Sequence, residues 1–117
     1  MNLSALSAVS PIDGRYGSKT QSLRTVFSEF GLIKARVEVE IRWLQKLAAH
    51  PAVTEVPALS DEANAILDAI VNNFSEADAQ AIKDEERVTN HDVKAVEYFI
   101  KNRIEGNPEL NNITEFV

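Results

Sequence analysis

From Ser28 to His50, Ile33, Val37, Ile41, Leu44 and Ala48 recur at three- and four-residue steps, the spacing that lines one face of an α-helix. Such a helix runs roughly 34 Å. Leu32, Val39, Trp43 and Leu47 widen the apolar face beyond what one neighbour can cover. This helix is therefore expected to touch both its own domain and something else. Glu38 and Arg42 stand four apart in the order that favours an ion pair along a helix. Pro51, directly after His50, supplies the stop.

Residues Pro51 to Leu59 read as a linker with two prolines. Ser60 is placed to cap the next helix, with Asp61 and Glu62 in its first turn. Ala63, Ile66, Leu67, Ile70, Val71 and Phe74 then predict a helix over 61–74. Ser75 with Asp78 has the spacing of a capping box and opens a more polar helix reaching about Arg87. Thr89 with Asp92 repeats that spacing. The helix after it carries Val93, Val96, Phe99, Ile100 and Ile104 and ends near Gly106. Asn107-Pro108 reads as a break, and Asn111 to Val117 as the start of a new element. Before all this, Ser10-Pro11-Ile12-Asp13-Gly14-Arg15-Tyr16-Gly17 reads as an ordered turn or loop, with a short helix over 19–26. No alternating strand pattern occurs. The expected fold is all-α with an irregular N-terminal arm.

Composition narrows the function classes. The 117 residues make one domain with one modest core. The 44% hydrophobic and 26% charged content marks a globular chain. With no cysteine, disulfides and thiolate chemistry are excluded, and the two histidines, His50 and His91, lie in separate segments. A histidine-built metal site is not expected. The formal net charge of −6 argues against a nucleic-acid platform. The N-terminus lacks a basic region before its short apolar run, and no stretch is long enough to span a membrane. The expectation is a cytoplasmic protein with no membrane partner. The apolar Ile113, Phe116 and Val117 suggest a chain cut within a larger protein. No nucleophile elbow, phosphate-binding glycine loop or zinc signature is present.

Asn90-His91-Asp92 is the first chemical candidate. An amide, an imidazole and a carboxylate stand at a helix start, where free backbone amides favour anions. Histidine is the side chain that titrates nearest neutrality. Taken locally, the structural readings are favoured: Asp92 as a first-turn acid, Asn90 as a turn residue, His91 as a surface histidine. Arg15-Tyr16, framed by Gly14 and Gly17, is the second candidate. A guanidinium suits phosphate or carboxylate, and flanking glycines let backbone approach a ligand. Its local alternative is a surface arginine in a loop. His50 near a helix C-terminus, Lys94 and Trp43 read as structural or solvated residues.

Two motifs together change that balance. Ser-Pro-Ile-Asp-Gly-Arg-Tyr at 10–16 and Thr-Asn-His-Asp-Val-Lys-Ala-Val-Glu-Tyr at 89–98 resemble, in order and separation, the adenylosuccinate lyases, above all their bacterial branch. The helix segment Glu38-Val39-Glu40-Ile41-Arg42-Trp43-Leu44 also looks like that family. The resemblance covers essentially the whole chain and implies the N-terminal helical domain, residues 1–117, of a fumarase/aspartase-like fold. It implies an enzyme that is usually a homotetramer. Such an enzyme releases fumarate by β-elimination from adenylosuccinate, giving AMP, and from succinylaminoimidazole carboxamide ribotide in purine synthesis. It implies no metal and no organic cofactor. Arg15, Tyr16, Asn90, His91 and Asp92 match substrate-binding positions, with His91 orienting or polarising the nucleotide substrate. No catalytic residue is expected here. The family's proton-transferring histidine and serine lie further along the polypeptide, as does a Thr-Ser binding pair. The isolated chain is accordingly expected to be inactive. Two alternatives stand beside this reading: a helical interaction module without enzymology, and a relative acting on argininosuccinate.

Overall fold

A computed structural model describes residues 1–117. It contains six α-helices and no strand: α1 (Arg24–Phe27), α2 (Glu29–Ala49), α3 (Asp61–Asn72), α4 (Glu76–Thr89), α5 (Asp92–Ile104) and α6 (Pro108–Asn111). Short 3-10 turns precede α1 and follow α6. The all-α expectation holds. The chain divides into two compact units, Met1–Leu32 and Ile33–Val117, with the division inside α2.

The first unit is built of turns. Tyr16 donates its N–H to the Pro11 carbonyl at 2.8 Å, and Lys19 donates to the Tyr16 carbonyl at 2.9 Å. Arg24 pairs with Asp13 at 3.2 Å. The short helix expected over 19–26 is a 3-10 turn, Gln21–Leu23, running into the single turn of α1. Ser28 then turns extended, and its Oγ accepts the Gly31 N–H at 3.1 Å, capping α2. Gly31 is required there, because a β-carbon would collide with the Val26 carbonyl. No apolar side chain of this unit is buried.

The second unit holds the core. Ile33, Val37, Ile41, Leu44 and Ala48 are buried along α2, as their spacing predicts. Leu67 and Val71 of α3, Ile82 of α4 and Val96, Ile100 and Ile104 of α5 are buried with them and complete the apolar core. Phe74 and Phe99 meet edge to face, with ring centroids 5.9 Å apart. Val56 in the linker is 1% exposed, so that segment is anchored even without regular structure. The widened stripe of α2 stays open: Val39 is 66% and Trp43 57% exposed.

Several local expectations are corrected. The third helix ends at Asn72 rather than 74, yet Phe74 beyond it is still buried. The fourth passes Arg87 and takes in Thr89, so Thr89 cannot cap the fifth. Val93 is exposed and lies outside the core. Asn107-Pro108 starts a helix instead of breaking the chain. The Asn107 side chain accepts the Leu110 N–H at 3.0 Å, and proline suits the first helical position. Asn111 ends that helix. Arg42 ignores Glu38 and bonds Gln45 at 2.8 Å and Asp68 of α3 at 2.5 Å. A cross-helix carboxylate near a fixed neighbour outcompetes one on the same exposed face. No helix is long and apolar enough to cross a membrane.

Candidate functional site

The corner between α4 and α5 is set by Asn90. It closes α4 in the left-handed region at φ 53° and ψ 33°, and it is the only non-glycine residue with positive φ. Its N–H donates to the Glu86 carbonyl at 2.7 Å. Asparagine tolerates this conformation better than other side chains, which is why the chain can turn here without glycine. The side chain of Asn90 is exposed and makes no intramolecular hydrogen bond.

His91 follows in extended conformation and is itself the cap of α5. Its Nδ1 accepts the Lys94 N–H at 3.1 Å. Its carbonyl accepts the Ala95 N–H at 3.1 Å and the Thr89 hydroxyl at 3.1 Å. An imidazole nitrogen that accepts carries no proton, so in the neutral ring the proton sits on Nε2. His91 thus presents an exposed N–H donor on its outer edge.

Asp92 opens α5. Its Oδ1 accepts the Val93 N–H at 2.8 Å, and its Oδ2 lies 3.0 Å from Nη1 of Arg36 on α2. The Val93 N–H holds the Asp92 carboxyl below the usual range, and the nearby Arg36 charge adds to that. These bonds correct one expectation. The amides of Val93, Lys94 and Ala95 are all taken by the corner itself, and a carboxylate stands among them. Helix α5 therefore offers no free row of amides to an anion. What the corner can offer is side-chain donors: the Asn90 carboxamide and His91 Nε2–H. Lys94 is not among them, being paired with Glu97 at 3.2 Å and lying 5.4 Å from the Tyr98 ring.

Arg15 and Tyr16 belong to the first unit. Both are exposed, and the Arg15 guanidinium lies over the Tyr16 ring at 5.1 Å. Asp13, the adjacent acid, is taken by Arg24, which leaves the Arg15 charge without a carboxylate partner. The flanking glycines have a job within the arm itself. A β-carbon at Gly14 would stand 2.7 Å from the Ala5 carbonyl oxygen, and one at Gly17 would stand 3.1 Å from that of Asp13. They let the arm close on itself. An apolar hollow of about 720 Å³ in this unit is lined by Leu3, Ile12, Leu23 and Phe27 with Asp13 and Arg24, and not by Arg15 or Tyr16.

The structure thus gathers Asn90, His91 and Asp92 at one corner and holds Arg15 with Tyr16 in the other unit. No three acidic or histidine side chains converge to hold a metal ion. His50 accepts the Ala52 N–H on Nδ1 at 3.1 Å, in keeping with a structural role. Sequence reasoning missed Arg36. The available signal was its place beside the buried Ile33–Val37 stripe, where a long cation is positioned to reach a neighbouring helix.

Residues 14–117 match the family described as lyase. Over its whole length the chain is 66% identical to an adenylosuccinate lyase of Vibrio cholerae serotype O1. It is 62% identical to that of Escherichia coli strain K12 and 61% identical to that of Haemophilus influenzae. It spans 26% of the length of each of these relatives.

Proposed function

The chain belongs to the lyase family, and on that premise we propose that it forms the N-terminal helical domain of an adenylosuccinate lyase. The observation that carries this reading is the end-to-end identity of 66% with a protein of that name. The complete enzyme would act in the cytoplasm as a homotetramer and release fumarate from adenylosuccinate and from succinylaminoimidazole carboxamide ribotide.

In that reaction a base removes a proton beside a carboxylate, an acid assists departure of the amine, and donors steady the charge between. This chain supplies donors. His91 Nε2–H and the Asn90 carboxamide bind substrate oxygens, and the free Arg15 guanidinium takes an anionic group with Tyr16 backing it. Asp92 is a member of the binding segment whose side chain serves mainly to hold the corner. The proton-transferring residues and the remaining binding groups come from other segments of the polypeptide and from neighbouring subunits. The residues here act through charge and hydrogen bonds, and the reaction calls for no metal or organic cofactor.

The test is fumarate release. The complete polypeptide should turn over adenylosuccinate and not argininosuccinate, while the purified 117-residue chain should turn over neither. Turnover of argininosuccinate alone would move the protein to the sister activity. The open Val39–Trp43 stripe favours a second reading, a helical interaction module. That reading gains if the complete polypeptide releases fumarate from neither substrate.

A further inference from the structure

His91 can serve a ligand only if its ring is held with Nε2 outward. The hold begins 3.1 Å away, where Nδ1 accepts the Lys94 N–H, and that amide belongs to the first turn of α5. The position of this turn rests on Asp92. One carboxylate oxygen accepts the Val93 N–H at 2.8 Å, and the other meets Arg36 at 3.0 Å. Arg36 stands on α2, between the buried Ile33 and Val37, and its side chain is only 31% exposed. It is thus held on a helix whose neighbouring positions are packed into the core. The guanidinium has another acid within reach on its own helix, Glu40 one turn on, yet the ion pair it makes is across the helices. Beside it lies a shallow hollow of about 260 Å³ lined by Arg36, Val39, Glu40, Val93 and Val96. Val93 is exposed and contributes little packing there. Ala95 and Val96 bury the inner side of this end of α5, and the Arg36–Asp92 pair ties its outer edge, where Asp92 and Val93 lie, to the long helix.

We infer that Arg36 is a positioning residue for His91: by pinning Asp92 to the long helix it fixes the first turn of α5, so that the imidazole gives Nδ1 to Lys94 and presents Nε2–H to the substrate. This rests on the assignment of the Asn90–Asp92 corner to substrate binding. Arg36 itself touches no substrate and acts through two other side chains.

The experiment uses the complete polypeptide and two readouts, kcat/KM for adenylosuccinate and hydrogen exchange of the 89–98 segment followed by mass spectrometry. Arg36→Ala should speed exchange in that segment and lower kcat/KM about tenfold, the order of loss expected when a supporting contact is removed. Arg36→Lys keeps the charge and should restore both, to within about threefold for kcat/KM. Asp92→Asn removes the ion pair from the other side and should mimic Arg36→Ala. The double variant should lose no more than either alone, because both break one link. If Arg36→Ala does not fold, Arg36→Lys and Asp92→Asn carry the comparison. Unchanged exchange in Arg36→Ala, or faster exchange with kcat/KM kept within twofold, would overturn the proposal while leaving the site reading intact. So would additive losses in the double variant. A wild-type polypeptide that releases no fumarate removes the site reading, and the proposal falls with it.

Discussion

Glu109 grips Ser60 twice, accepting its backbone N–H at 2.8 Å and its hydroxyl at 2.6 Å. Ser60 at the same time caps α3 through the Ala63 N–H at 3.1 Å. One serine thereby joins the start of α3 to α6, across a long stretch of chain. The capping role could be seen in the sequence, whereas the carboxylate that completes it could not.

That pair has a pH signature. The Ser60 hydroxyl and then its N–H hold the Glu109 carboxyl below the ordinary value. A carboxyl depressed in the folded state stabilises the fold above its unfolded value, about 4.3, and loses that contribution as pH falls through the folded value. The melting temperature of wild type should exceed that of Glu109→Ala at pH 7, and the gap should close towards pH 3. A gap that stays constant across that range would contradict the assignment.

Asn90 separates backbone from side-chain roles. Its left-handed backbone should accept glycine with little loss, while Asn90→Ala should destabilise by about 1 kcal/mol, since a β-carbon is disfavoured there. If the carboxamide also binds substrate, both variants of the complete polypeptide should lose activity, although only one loses stability. Denaturant melts beside kinetics read the two effects independently.

The two stripes of α2 should respond in opposite ways in the 117-residue chain. Ile41 is fully buried, so Ile41→Ala should destabilise by about 3 kcal/mol through lost burial and a residual cavity. Trp43 is 57% exposed, and Trp43→Ala should change stability by less than about 1 kcal/mol. A large loss at Trp43 would mean that its stripe is covered, for instance by a second copy of the chain, and a concentration-dependent melt would reveal it.

In the complete polypeptide, His91→Ala should cut turnover by on the order of a hundredfold, as removal of a positioned polar group typically does. The lost cap should destabilise α5 by only about 1 kcal/mol, leaving the helical circular-dichroism spectrum intact. Activity kept within about twofold would remove His91 from the site.

Most of the helical layout was readable along the chain. The buried positions of α2 follow its periodicity, and Ser60 and Ser75 mark the starts of α3 and α4, with Ser75 and Asp78 forming the reciprocal box. These signals act within about four residues, the reach of one helical turn, and so need no knowledge of the rest of the fold. Thr89 was misread for a local reason. Thr89 and His91 both offer a side-chain acceptor, and the choice depended on α4 extending until Asn90 turned left-handed.

The motif pairing of residues 10–16 with 89–98 marked the family and pointed to Arg15, Tyr16 and the Asn90–Asp92 corner. It could not say what each group does there. That Asp92 answers to Arg36, that the first amides of α5 are taken, and that Gly14 makes room for Ala5 are decided by residues distant in sequence or by turn geometry. The same holds for Arg42 with Asp68, and for Arg103 with Asp78. Hydrophobic periodicity specifies which face of each helix turns inward, because residues at one angle around the axis share one side of the helix. Which charges then meet across two helices depends on where along each axis they cross, and only the packed structure sets that.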